Sequence, residues 1–141
     1  MILVLLGTQN NSFHRLLEEI QRNMDNGNIK EEVVVQKGYT KFESKNMKMY
    51  TQVTLDEMRK MIDNADLIIT HGGVGSIIES IEKNKKVIAV PRLKKYKEHV
   101  NDHQLDIIKS FNDSEYIIGL NGVEELEDAL EKVKDFKPKK Y

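Results

Sequence analysis

Short apolar runs alternate along this chain with longer stretches in which apolar residues return at spacings of three and four. That pattern predicts buried strands joined by crossover helices, the arrangement of a mostly parallel sheet covered on both faces. The runs place strands near Ile2 to Leu6, Glu32 to Gln36, Lys48 to Gln52, Asp66 to Thr70, Lys86 to Val90 and Tyr116 to Ile118. Phe13, Leu16, Leu17, Ile20 and Met24 share one helical face behind Ser12, a good N-cap. Thr54-Leu55-Asp56-Glu57 has the form of a capping box, and Leu55, Met58, Met61 and Ile62 supply the apolar stripe of a second helix. Further helices are expected from Ser76 to about Lys83, from about Glu98 to Phe111 and from Val123 to Val133, with Asn26-Gly27-Asn28 and Asn121-Gly122 as turns. The polar stretch from Lys37 to Asn46 reads as an exposed loop between two strands, and there is no internal repeat or low-complexity tract.

The expected fold class is therefore α/β, a single Rossmann-like domain with a mostly parallel sheet flanked by helices. A length of 141 residues fits one such domain, spanning 1–136, and a chain of this size hides roughly two-thirds of its unfolded surface. Residues 137–141 are expected to be a frayed tail, because Pro138 ends the last helix and nothing apolar follows to dock it. The apolar start from Met1 to Leu6 lacks a basic flank and meets Gly7-Thr8, too short for a signal peptide or a membrane span.

Twenty-two basic residues against 23 acidic ones give a net charge of −1, which argues against a nucleic-acid surface. Any affinity for phosphate must be local. The absence of cysteine removes disulfides, thiolate metal sites and cysteine nucleophiles, and fits a reducing compartment with the cytosol as default.

The most informative stretch for chemistry runs from Ala65 to His103. A buried strand ends at Thr70, His71-Gly72-Gly73-Val74-Gly75 forms a glycine-rich turn, and a helix is expected to open at Ser76. In an open α/β sheet ligands bind beyond the carboxyl ends of the strands, where the next helix offers free N–H groups to an anion such as a diphosphate. The glycines allow the backbone to approach such an oxygen closely. The spacing matches neither the dinucleotide fingerprint nor a P-loop, since no Gly-Lys-Ser/Thr follows. Glu79, three residues after Ser76, has two open readings: the second half of a capping box, or a carboxylate that accepts hydrogen bonds from ribose hydroxyls. Gly7-Thr8-Gln9-Asn10-Asn11-Ser12 is a second loop of small amide and hydroxyl groups, either a plain turn and cap or a second wall of donors. Arg92 follows the fifth strand through Pro91 and is a candidate phosphate contact ahead of Lys94, Lys95 and Lys97, whose stretch otherwise reads as a solvated charge run. His99 and His103, four apart, would share a helical face, but no third ligand accompanies them, so no metal site is assigned. His103 and Gln104 more naturally offer hydrogen bonds to sugar hydroxyls, and His14 stands alone.

Through Thr70-His71-Gly72-Gly73-Val74-Gly75-Ser76 with Glu79, then Val90-Pro91-Arg92, then Asp102-His103-Gln104, the chain resembles the C-terminal domain of family 28 glycosyltransferases. Within that family it is most similar to single-domain subunits of the Alg13-like and PssE types. The resemblance covers nearly the whole chain and implies the C-terminal half of a GT-B enzyme, binding a UDP-sugar without a required metal or other cofactor. Carried over, His71, Gly72, Gly73, Gly75 and Ser76 line the diphosphate and Glu79 holds the ribose. His103 and Gln104 face the sugar, and Gly7, Thr8 and Gln9 close the opposite wall. The Gly-Thr start matches the single-domain subunits better than the more glycine-rich loop of MurG-like relatives.

The resembled enzymes work in a cleft between two domains, and this chain has room for one. The resemblance thus implies the donor-binding subunit of a two-component transferase, with its catalytic base on a membrane-associated Alg14-like or PssD-like partner that presents a lipid-linked acceptor. Its implied place is the cytoplasm, recruited to the inner face of the membrane, in exopolysaccharide, capsule or glycolipid synthesis with a hexose or N-acetylhexosamine as the transferred sugar. Two other functions stand beside it: a non-catalytic nucleotide-binding regulatory module using the same crevice, and a metal-dependent hydrolase built on His99 and His103.

Overall fold

The computed structural model describes residues 1–141. Six strands form one sheet: β1 (Ile2–Leu5), β2 (Val33–Gln36), β3 (Met47–Tyr50), β4 (Leu67–His71), β5 (Lys86–Val90) and β6 (Ile118–Gly119). Five helices join them: α1 (His14–Asp25), α2 (Leu55–Asn64), α3 (Val74–Glu82), α4 (His103–Asp113) and α5 (Leu126–Lys132), the last preceded by a 3-10 turn at Val123–Glu125. Every pairing is parallel and the strand order is β3-β2-β1-β4-β5-β6. This is a doubly wound Rossmann order whose direction reverses between β1 and β4.

Both faces of the sheet are buried, which explains why β1 is a continuous apolar run. Ile2, Val4 and Leu6 pack into the core beneath α1 and α5, while Leu3 and Leu5 enter the core beneath α2, α3 and α4. The period-two alternation splits one strand between two cores. Burial of such a side chain contributes roughly 1.5–3 kcal/mol, so β1 anchors the molecule from both sides.

The boundaries depart from the sequence pattern where a distant group intervenes. Ser12 is not the cap of α1. That helix starts one residue later, and the N–H of its N-cap Phe13 donates to Oγ1 of the buried Thr40, 3.0 Å away. The stretch from Lys37 to Asn46 is accordingly more than an exposed loop, since Gly38 and Thr40 are buried and Phe42 packs against the core.

The helix expected from Glu98 begins instead at His103. Glu98 is buried, where its carboxylate accepts from Arg15 at 2.7 and 3.0 Å and from the Leu93 N–H at 3.0 Å, and Lys97 before it lies at φ +59°. A side chain drawn inward, next to a left-handed residue, leaves no room for a regular turn there. The last strand is also shifted, from the expected Tyr116–Ile118 to Ile118–Gly119. At the C-terminus Tyr141 makes an edge contact with Tyr116 at 5.2 Å, and the Lys139 N–H donates to the Glu115 carbonyl at 3.0 Å, so the tail has docking contacts the sequence pattern did not reveal. No helix is long and apolar enough to cross a membrane.

Candidate functional site

At the reversal point, the loops that leave β1 and β4 part to form an open cleft of 480 Å³. Sheets of this topology bind ligands in that crevice, because the two loops run in opposite directions and leave a gap between them. Gly7, Thr8 and Gln9 form one wall; His71, Gly73, Gly75, Ser76 and Glu79 form the other. Gln36, Gln52, Val53, Leu55 and Met58 complete the lining.

The first wall is held by the side chain of Gln36 at the end of β2. Its Oε1 accepts from the Gly7 N–H at 3.2 Å, and its Nε2 donates to the Gly7 carbonyl at 3.0 Å. Gly7 sits at φ +76°, and a Cβ there would lie 2.5 Å from Nε2 of His71. Only glycine satisfies both the turn and the close approach.

The second wall is the start of α3. This helix begins two residues earlier than expected, at Val74, with Gly73 as an N-cap that has no side chain to offer. The Ser76–Glu79 capping box therefore does not form. The first bond across the helix start runs from the Ile77 N–H to the Gly73 carbonyl at 3.1 Å, which leaves the N–H groups of Val74, Gly75 and Ser76 without an intrahelical acceptor. By contrast, α2 is closed by the box the sequence predicted, with Thr54 Oγ1 accepting from the Glu57 N–H at 3.1 Å and Glu57 accepting from the Thr54 N–H at 3.0 Å. An uncapped helix start beside a cleft is suited to an anion.

Glu79 is the one charged residue of the lining, and no lysine or arginine is among it. Its two carboxylate oxygens accept from Nε and Nη2 of Arg59 on α2, each at 3.3 Å. Charge for an anion in the cleft is thus supplied by helix and amide dipoles rather than by a cation within it.

The remaining candidates lie outside the cleft. Arg92 is only 1% exposed and does not reach it; its guanidinium donates to the carbonyls of Leu6 at 2.6 Å, Asn11 at 2.8 Å and Glu98 at 3.1 Å. It ties the end of β5 to the Gly7–Asn11 loop, so its contact with a phosphate is corrected to support of the wall. Burial pulls Arg92 down to about 10, against the opposing charge of Glu98. Gln104 is buried rather than turned toward a sugar: its Oε1 accepts from the N–H groups of Gly72 and Arg92, both at 2.9 Å. Gly72 is sealed by that contact, since a Cβ on it would meet Gln104 Cβ at 2.7 Å. His103 is exposed at the first position of α4 and absent from the lining.

His99 lies in the loop before α4, with its Nε2 3.0 Å from Gln9 Nε2, so His99 and His103 do not share a helical face. No three side chains of His, Asp or Glu converge as a metal site. His71 is buried at the cleft floor; burial, and secondarily the charge of Arg92 and His99, lowers it to about 3. It is neutral at physiological pH.

Gln36, Gln52, Val53, Leu55 and Met58 were not expected from sequence to line a site, Leu55 and Met58 having been read as part of the apolar stripe of the second helix. Gln36 had a signal: it is the polar residue closing the otherwise apolar run Val33-Val34-Val35. The others carried none, because their place in the cleft follows from how α2 and the segment leading into it lie against α3.

Strand order and reversal point define a domain with the Rossmann-type fold, the fold of the C-terminal half of GT-B glycosyltransferases. The model of the glycosyltransferase family 28 C-terminal domain matches residues 1–141, and the chain belongs to that family. It is 37% identical over 73 residues, 52% of its length, to the UDP-N-acetylglucosamine transferase subunit ALG13 of Candida albicans. It is 34% identical over 104 residues, 70% of its length, to the UDP-N-acetylglucosamine--N-acetylmuramyl-(pentapeptide) pyrophosphoryl-undecaprenol N-acetylglucosamine transferase of Prochlorococcus marinus. The matched segments span only 23% and 28% of those two proteins. Among solved structures, the NMR structure of ALG13 superposes with a TM-score of 0.64 at 17% identity over 99% of this chain and 87% of the other. MurG of Acinetobacter baumannii superposes at 0.63 with 18% identity over 94% and 41%.

Proposed function

We propose that this chain is the donor-binding subunit of a two-component UDP-sugar glycosyltransferase, completed by a membrane-associated subunit that presents a lipid-linked acceptor. The observation that carries the reading is the uncapped start of α3 opening on a cleft that holds Glu79 and no cation. The UDP-N-acetylglucosamine transferases among its relatives support an N-acetylhexosamine, or a related hexose, as the sugar.

In this reading the diphosphate lies across the N–H groups of Val74, Gly75 and Ser76, and Glu79 takes the ribose hydroxyls in place of Arg59. Thr8, Gln9 and Gln36 face it from the other wall. The acceptor hydroxyl oxygen attacks the anomeric carbon, the bond from that carbon to the β-phosphate oxygen breaks, and the electron pair leaves with UDP. The proton passes to a base on the partner subunit. Charge grows on the diphosphate as the bond breaks, so the dipole of α3 acts more strongly on the transition state than on the bound donor. The partner also brings the chain to the cytoplasmic face of the membrane.

The test is titration of the isolated protein with UDP while the amide signals of Gly72 to Ile77 are followed, then a transfer assay with and without the co-purified partner. The reading expects shifts in those amides, and transfer only when the partner is present together with this chain. Turnover by the chain by itself removes the two-component part, and amides that stay still at millimolar UDP remove the donor site.

A further inference from the structure

The orientation of the Gln104 amide is decided by its neighbours. One of its terminal atoms faces two backbone donors, the N–H groups of Gly72 and Arg92, both at 2.9 Å. Only oxygen can sit there, since nitrogen would meet two donors with a third. The other terminal atom is therefore the NH2 group, and it lies 3.2 Å from Nδ1 of His71.

Nδ1 consequently faces a donor, and Nε of Arg92 approaches the same atom at 3.4 Å. A ring nitrogen between two N–H groups must carry its lone pair. Nε2 of His71 has no partner within the protein, yet no side-chain nitrogen or oxygen that is sealed from solvent lacks one. It is therefore open, and its position is known: a Cβ added to Gly7 would lie 2.5 Å from it, and one added to Gly73 would lie 2.6 Å from it. Nε2 points out between the two walls of the cleft.

We infer that Gln104, backed by Arg92, is a positioning residue that locks His71 in the Nε2–H tautomer, so that a neutral imidazole N–H stands ready between Gly7 and Gly73 for an oxygen acceptor. The functional half of this rests on the donor-site reading, in which the acceptor is a diphosphate oxygen; the tautomer itself does not. The lock answers a chemical problem of this site. A free imidazole has two neutral tautomers, and one of them would present a lone pair to an anion and repel it. An imidazolium would donate, but it would turn Nδ1–H against Gln104 and Arg92. A fixed amide behind the ring leaves one state, and that state donates at every physiological pH.

The wild-type protein decides the tautomer directly. Long-range nitrogen–proton NMR of the His71 ring in the ligand-free protein is expected to show Nδ1 unprotonated and Nε2 protonated, unchanged from about pH 6 to about pH 8. The reverse pattern overturns the inference, even if UDP binds. Gln104→Glu provides the second arm, because a carboxylate still accepts from Gly72 and Arg92 but presents Nδ1 with an acceptor. UDP affinity, flat with pH in the wild type, is then expected to fall about tenfold or more as pH rises from about 6 to about 8, as the ring loses its proton from Nε2 and keeps the one on Nδ1. A folded Gln104→Glu protein whose UDP affinity stays as flat and as tight as the wild type also overturns the positioning role. Failure of UDP to bind the wild type, with Nε2 protonated, sinks the donor reading and leaves the tautomer established by its own signal.

Discussion

Arg59 on α2 grips Glu79 on α3 with both arms of its guanidinium, Nε to one carboxylate oxygen and Nη2 to the other, each at 3.3 Å. The pair spans the rim of the cleft and occupies the oxygens a ribose would need. Both side chains are partly exposed, at 46% and 26%, so the bond is a solvated one that a ligand can displace. Arg59→Met is expected to tighten UDP by about two- to fivefold by freeing the carboxylate. Pyrophosphate, which has no ribose, is expected to bind both proteins alike. Calorimetry with the two ligands checks it, and an equal change for both counts against a ribose role for Glu79.

Gly75 separates stability from binding. A Cβ on it would meet nothing within 4 Å, and its φ is not positive, so the folded chain has room for alanine. Gly75→Ala is expected to melt no lower than the wild type, because alanine is the better helix residue by up to about 1 kcal/mol. The added methyl projects into the cleft, and UDP affinity is expected to fall by about tenfold or more through the loss of close backbone approach. A thermal melt and a UDP titration of one sample give both answers.

Arg92 supports three carbonyls, those of Leu6 and Glu98 buried and that of Asn11 partly so. Arg92→Met is expected to lower stability by more than about 3 kcal/mol, since the carbonyls of Leu6, Asn11 and Glu98 lose a charged donor inside the protein. Urea unfolding measures it. A variant that loses UDP binding at undiminished stability would return Arg92 to the ligand.

His71 makes stability depend on acid. Its pKa is about 3 in the folded chain and 6.5 when free, so between those values the unfolded chain holds the extra proton. Stability is complete above pH 6.5 and declines as pH falls below it, by at most about 1.4 kcal/mol per unit. His71→Asn is expected to flatten the slope between pH 6.5 and about pH 5, whatever it does to the absolute value. Denaturant midpoints across that interval are the measurement.

The architecture was legible because the central strands β1, β2, β4 and β5 state their own burial. A run such as Ile2 to Leu6 is apolar at every position, and a sheet covered on both faces is the arrangement that uses it. The glycine-rich turn after β4 and the capping box at Thr54 were legible for the same reason, since both are set by residues within a few positions of each other. The start of α4 was not, because Glu98 is claimed by Arg15, which lies 83 positions away. Thr40 replaced Ser12 at the start of α1 in the same manner, across 27 positions.

The alternation of strands and helices and the place of the cleft at the end of β4 thus follow from the chain read alone, because hydrophobic period and glycine spacing act over a few residues. What the tertiary structure decided is the division of labour among the polar groups. Arg92 and Gln104 look like ligand contacts in the sequence, yet both turn inward, because the backbone groups of Leu6, Gly72, Arg92 and Glu98 are buried and must be paired. A buried carbonyl or N–H takes whichever side chain the fold brings to it, and sequence order does not say which that will be.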